Sequence, residues 1–293
     1  MNQKSRANES NRHATSFRKA AERSVYIRKD LASQRCDFAH SNSARVFQNI
    51  YVNGLWSSKS RSNLHEITPR RFYNYGDPVG SSKRQSLSGG GSNVGNATKH
   101  SIEFLSSVIA EYGITSMLDI PCGDVNWQFE AWEVDSLQTY VGADIVPELI
   151  DLNQRRFVHH LNKHFVAWDF AKCSLPTLPA DDAFTNSSHR SFRGTVSDQV
   201  HSRQPFDLVH ARDVFQHMPL DRAAQAAKHI KASGCRFAIV TTWPNSTNKR
   251  ISEGSYYANN MEVHPFYYPK PIACALTHPE LEDDLTCLYD FTS

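Results

Sequence analysis

The stretch Ser116-Met117-Leu118-Asp119-Ile120-Pro121-Cys122-Gly123-Asp124 constrains this chain most: an apolar run that ends in an acid and breaks into a turn with a single glycine. A run this short, with an amphipathic helical pattern on either side, predicts a buried parallel strand feeding a tight strand-to-helix loop. Ligands of open α/β sheets sit beyond the carboxyl ends of the strands, where backbone must approach them closely. Gly123 permits that approach.

Two further apolar runs end in carboxylates. Thr139-Tyr140-Val141-Gly142-Ala143-Asp144-Ile145 places Asp144 25 residues after Asp119, near the spacing of an acid that binds ribose hydroxyls. Phe165-Val166-Ala167-Trp168-Asp169 repeats the pattern. Three strands ending in Asp119, Asp144 and Asp169 line one rim of one sheet with acids.

The turn lacks a phosphate cradle. A dinucleotide pyrophosphate is ordinarily held by G-x-G-x-x-G at a helix N-terminus, whereas here Asp124 adds an acid where phosphate would lie. That argues against NAD and FAD. A ligand with ribose hydroxyls, an adenine and a positive centre suits three acids better.

The run from Leu118 to Asp124, with Asp144 and Asp169, resembles the first three motifs of class I S-adenosylmethionine-dependent methyltransferases. It is more closely similar to a little-characterised group of methyltransferase-domain proteins with a Pro-Cys-Gly-Asp turn followed by Asn-Trp, here Asn126-Trp127. Trp56, the segment Ser86-Leu87-Ser88-Gly89-Gly90-Gly91-Ser92 and the pair Arg212-Asp213 match that group as well, so the resemblance runs from about Val46 to the C-terminus. The general class has glycines where this chain has Pro121 and Val125, and the stretch between the third and fourth strands is longer than the group's pattern.

The resemblance implies an α/β fold, a Rossmann-like methyltransferase sandwich with a mostly parallel seven-stranded sheet and helices on both faces. It implies methyl transfer from S-adenosylmethionine to a small-molecule or carbohydrate acceptor. Asp144 is expected at the ribose, Asp169 at the adenine amine, and Pro121, Cys122, Gly123, Ile145 and Trp127 around the cofactor, with Asp119 shaping the turn. Asp213 is the candidate base, Arg212 its partner or an anchor for an acidic substrate, and Asn126, His217 and Trp243 are candidate acceptor contacts. A non-catalytic cofactor-binding protein and a nucleotide-dependent oxidoreductase are the competing readings.

Three parts are expected: a basic extension over 1–45, a lid and Gly/Ser-rich segment over 46–96, and the methyltransferase domain over 97–293 with a polar insert at 180–204. Residues 1–45 carry ten Lys or Arg against four Asp or Glu, so +6 of a chain whose total is +2. This composition predicts disorder or weak helix, and any contact with nucleic acid is assigned to this arm alone. Glu9, Glu22 and Asp30 count against a transit peptide, which is normally poor in acids.

Val46 to Trp56, Thr98 to Tyr112, the residues after Asn126, those from Pro147 and Pro219 to Ser233 read as helices; Phe206 to Ala211, Phe237 to Thr242 and Cys287 to Phe291 read as strands. No stretch of 18 or more apolar residues occurs, so no membrane span is expected. The six cysteines form no C-x-x-C pair and read as free thiols of a cytoplasmic protein. His159, His160 and His164 lie close together without an acid or cysteine at ligand spacing, so no metal is expected. The sequons at Asn8, Asn96, Asn186 and Asn245 read as chance.

Overall fold

A computed structural model describes residues 3–38, 41–56, 85–180, 203–278 and 280–292. Most of the segment between Trp56 and Ser86, and most of the insert, therefore lie outside the described residues.

Strand β1 (Ser116–Asp119) is buried along its whole length, as a strand covered on both faces must be. It pairs in parallel with β2 (Thr139–Asp144), which pairs in parallel with β3 (Lys163–Ala167). After the short antiparallel pair β4 (Leu178–Pro179) and β5 (Arg203–Gln204), the chain returns to the other side of β1 as β6 (Leu208–Ala211). β7 (Phe237–Thr242) continues in parallel; β9 (Leu285–Asp290) and β8 (Ala273–Leu276) close the sheet antiparallel. The seven-stranded order is β3-β2-β1-β6-β7-β9-β8. The connection reverses direction between β1 and β6, and the crevice at such a switch point is where open sheets bind ligands.

Alternation along the strands splits the core into two layers. Met117, Tyr140, Leu208 and Phe237 pack with Leu105, Val108 and Ile109 of an upstream helix (Lys99–Tyr112). Leu118, Val141, Val209 and Ala238 pack on the opposite face with Ala223, Ala227 and Ile230 of the helix Leu220–Ala232. In chain order the helices are α1 (Gln3–Ser33), α2 (Asn42–Asn53), α3 (Lys99–Tyr112), α4 (Trp132–Asp135), α5 (Pro147–Arg156) and α6 (Leu220–Ala232). None of the described helices is long and apolar enough to cross a membrane.

Two local expectations are corrected, and the leader, expected as disorder or weak helix, takes the helical form. The crossover after Asn126 is a single 3-10 turn, Gln128–Glu130, followed by the four residues of α4; Trp127 and Ala131 are buried there and the chain turns straight back into β2. β3 stops at Ala167, so Asp169 lies two residues beyond the strand. The basic leader is helical, and its last turns pack on the domain: Ile27 and Leu31 join the core and Arg203 reaches Asp30 at 3.1 Å. The apolar spacing of those two residues was diluted by the charges around them.

The thiol expectation is also overturned. Cys36 is bonded to Cys173 and Cys274 to Cys287, leaving Cys122 and Cys235 free and buried. The first pair is 137 residues apart in sequence and forms only because α1 docks beside β3; the second bridges opposed positions on β8 and β9. Disulfides persist in oxidising surroundings, so the cysteines give no support to a cytoplasmic setting. His164 is buried in β3 without a partner for either ring nitrogen among the described residues, while His160 faces Lys163 at 3.1 Å.

Candidate functional site

A cavity of about 410 Å³ opens over the carboxyl ends of β1, β2, β3, β6 and β7, a volume within the range of small-molecule sites. Its floor is the turn after β1. Gly123 stands at φ 56°, and its N–H donates to Asp144 Oδ2 at 3.0 Å. Asp144 Oδ1 accepts the N–H of Val146 at 2.9 Å. Burial pushes the Asp144 carboxyl up to about 6, with the two backbone donors pulling the other way.

Asp119 is buried beneath that floor. Its Oδ1 lies 2.7 Å from His210 Nδ1, and its Oδ2 accepts the Tyr140 hydroxyl at 2.7 Å and Gln128 Nε2 at 3.0 Å. Asp119 thus ties β1, β2 and β6 together at the switch point. Pro121, Cys122 and Ile145 line the cavity; burial pushes the Cys122 thiol well up, which disfavours its thiolate.

Asp169 is equally committed. Ala171 N–H reaches Oδ1 at 3.0 Å, and Arg222 Nη2 lies 3.1 Å from both carboxylate oxygens. Arg222 is shared with Glu253 at 3.2 Å.

The Gly/Ser-rich segment is held over the site by an acid that the turn motif contains. Asp124 accepts the Ser86 hydroxyl at 2.8 Å, the Leu87 N–H at 2.9 Å and the Ser88 hydroxyl at 3.4 Å. Asn126 lies behind the cavity wall, where its Nδ2 donates to the Ser92 carbonyl at 2.9 Å. Ser88 in turn meets the Tyr51 hydroxyl at 3.1 Å. α2 is capped by the Ser41 hydroxyl and ended by Gly54 in the left-handed region; it lays Phe47, Tyr51 and Trp56 over the mouth.

At the opposite end, Arg212 and Asp213 follow β6. Asp213 adopts φ 53°, uncommon for a residue with a side chain, and its N–H donates to Thr241 Oγ1 at 3.0 Å. Arg212 is buried: Nη1 pairs with Asp213 at 2.9 Å, Nε donates to Ser101 at 3.1 Å, Nη2 to the Gly91 carbonyl at 3.2 Å, and the guanidinium lies 5.4 Å from the Trp127 ring centre. This arginine is spent on holding the site together. An aromatic border runs from Trp56 to His217 (4.9 Å between ring centres), Tyr256 (5.9 Å) and Trp243 (6.1 Å).

The loop joining β8 to β9 supplies two residues that the sequence did not announce. His278 Nε2 lies 3.8 Å from Asp213 Oδ2 and 3.7 Å from Asp284 Oδ2. Burial lowers the His278 imidazole; burial and then Asp213 push the Asp284 carboxyl up to about 7. No spacing or motif marks either residue. Asp124 was visible as an extra acid in the turn, but its partners 36 to 38 residues upstream were not. Among the described residues, no group of three His, Cys, Asp or Glu side chains is arranged to hold a metal ion.

The sheet order, with its antiparallel last pair, is that of a Rossmann-like methyltransferase fold. No family model matches the chain, and no curated protein matches it. Among solved structures it is similar to magnesium protoporphyrin IX methyltransferase from Synechocystis PCC 6803 with bound SAM, at 12% identity over 85% of this chain and 95% of that one, TM-score 0.46. It is also similar to an N-methyltransferase from Bradyrhizobium japonicum WM9 in complex with S-adenosyl-L-homocysteine, at 11% identity over 65% and 83% of the two chains, TM-score 0.42. Human N-acetylserotonin methyltransferase in complex with SAM shows 13% identity over 64% and 54%, TM-score 0.39.

Proposed function

We propose that this chain is an enzyme that transfers a methyl group from S-adenosylmethionine to a small-molecule acceptor, and that it belongs with the group carrying the Pro-Cys-Gly-Asp-x-Asn-Trp turn. The reading rests chiefly on one observation: Asp144 is locked beside the Gly123 turn at one end of a cavity whose other end holds Asp213. No phosphate cradle stands at that turn, which disfavours a dinucleotide.

The donor set suits the cofactor. Asp144 takes the ribose hydroxyls on the carboxylate lone pairs its two N–H partners leave open. Ile145, Trp168 and Asp169 flank the adenine. The hydroxyls of Tyr51 and Ser88 and the backbone of Gly89 and Gly90 receive the amino-acid end, which makes the described stretches 47–56 and 88–92 part of the site. Bound there, S-adenosylmethionine supplies a methyl carbon on a sulfonium, and its transfer leaves a neutral thioether.

This chain's residues align and enclose. Trp127 and Arg212 form one wall, Asp213 faces the reacting end from a conformation held by Thr241, and Trp56, His217 and Trp243 border the acceptor. Alignment alone lowers such barriers by about 7 to 11 kcal/mol. Asn126 serves by fixing Ser92 rather than by touching substrate.

Calorimetric titration with S-adenosylhomocysteine, run beside Asp144→Ala, tests the reading. Micromolar binding that the substitution abolishes is the expected result. Absence of binding by the intact protein reduces the likeness to one of fold, and NADH fluorescence titration then addresses the oxidoreductase alternative.

A further inference from the structure

We propose that the acceptor of this site is an amine, received as an ammonium ion between Asp213 and Asp284 beside His278 and deprotonated there before methyl transfer; this rests on the methyltransferase reading above. Three observations carry it.

The first is charge. The described residues lining the cavity include five aspartates and two arginines, and both arginines are already ion-paired. Arg212 is bound to Asp213, Ser101 and Gly91, and Arg222 to Asp169 and Glu253. A carboxylate or phosphate acceptor meets no uncommitted cation among them. Among the described lining acids, Asp169 and Asp213 carry the arginines and Asp119 and Asp144 hold the strand ends and the turn, so the acid left for an ammonium ion is Asp284.

The second is the position of Asp284. Its side chain is 2% exposed, it lines the cavity, and its Oδ1 meets no donor among the described residues at hydrogen-bond geometry, although the Thr277 hydroxyl lies close enough to lower the carboxyl. A buried polar atom left in this condition costs free energy unless a ligand completes it. Asp213 and Asp284 both approach the same ring nitrogen of His278 within 4 Å, at 3.8 and 3.7 Å. Burial first, and then Asp213, disfavours the charged form of Asp284, and a cation placed between the two acids relieves the second of these, the repulsion between them. A hydroxyl acceptor would leave that repulsion in place.

The third is the aromatic border. Trp56, Trp243 and Tyr256 line the same cavity as these acids, and ammonium groups are attracted to aromatic rings.

The chemistry balances with the groups present. The ammonium N–H proton passes to the Asp284 carboxylate, beside which His278 Nε2 stands at 3.7 Å. The nitrogen lone pair so released forms the new C–N bond as the methyl carbon leaves sulfur, which keeps the pair of the broken C–S bond.

The test uses the full chain saturated with S-adenosylhomocysteine, whose binding is measured first. Into that complex are titrated benzylamine, benzyl alcohol and benzoate, which share a ring and differ in the head group. Benzylamine is expected to bind about tenfold more tightly than the alcohol, with benzoate weakest. Asp284→Asn should erase the preference for the amine, and Asp284→Glu should restore most of it. Equal binding of amine and alcohol, undetectable benzylamine binding, or a preference that survives Asp284→Asn overturns the proposal while leaving the cofactor reading intact. Failure of the wild type to bind S-adenosylhomocysteine overturns both.

Discussion

Gly91 lies against the imidazole of His278: a Cβ at position 91 would stand 2.8 Å from His278 Cε1 and 3.2 Å from Nε2. The glycine therefore fixes how closely the Gly/Ser-rich segment approaches the loop between β8 and β9. Gly91→Ala should push the imidazole away from Asp213 and Asp284. We expect benzylamine affinity to fall about tenfold, with stability changed by about 1 kcal/mol, since the strain is released by moving one side chain. Calorimetry and urea unfolding on the same variant separate the two effects.

Asp124 is 1% exposed and accepts from two hydroxyls and one backbone N–H of residues 86–88. Asp124→Ala leaves these donors without their acceptor, at a cost of about 1–3 kcal/mol for each that stays buried. We expect about 3 kcal/mol lost in urea unfolding and weaker S-adenosylhomocysteine binding, because Ser88 and Gly89 are no longer held over Gly123. Unchanged values for both would show that the segment is positioned by something else.

The Asp144 carboxyl is raised from 3.8 to about 6 by burial. A raised folded-state value means that the native chain binds the proton more tightly than the unfolded one, so this group's stabilising contribution is complete below about pH 4 and is lost as pH rises through about 6. Ribose hydroxyls require the ionised form as acceptor, so cofactor affinity runs the other way and increases with pH over the same window. Asp144→Asn should flatten both trends, read by thermal unfolding and by S-adenosylhomocysteine titration between pH 4.5 and 7.5, a window of about 1.5 units either side of the transition.

The paired cysteines make a chemical forecast. Thiol titration of the denatured, unreduced protein should find the two free groups of Cys122 and Cys235, and reduction should reveal all six. Removing the bridge that spans 137 residues with Cys36→Ser and Cys173→Ser should cost about 2–4 kcal/mol. The loss should fall mainly on the docking of residues 24–38, detected as faster proteolysis near Arg28 and Lys29.

The sequence by itself determined the sheet and one rim of the site. Apolar runs of four to six residues are satisfied by burial in strands covered on both faces, and β1, β2, β6 and β7 appear where those runs stand. The acids at their ends are local features, carried on the strand that precedes them, so Asp119, Asp144 and Asp213 were legible. The tertiary structure alone decided what each acid faces. Asp119 turns to His210 across the 91 residues separating two neighbouring strands, Asp169 to Arg222 on α6, and Asp124 to Ser86, Leu87 and Ser88, a contact that no periodicity encodes. The same holds for Cys36 and Cys173 and for His278 and Asp284, whose sequence surroundings carry no periodicity. Periodicity records which face of an element is buried; it carries no information about which distant side chain is brought to within 4 Å by the packing of the elements between them.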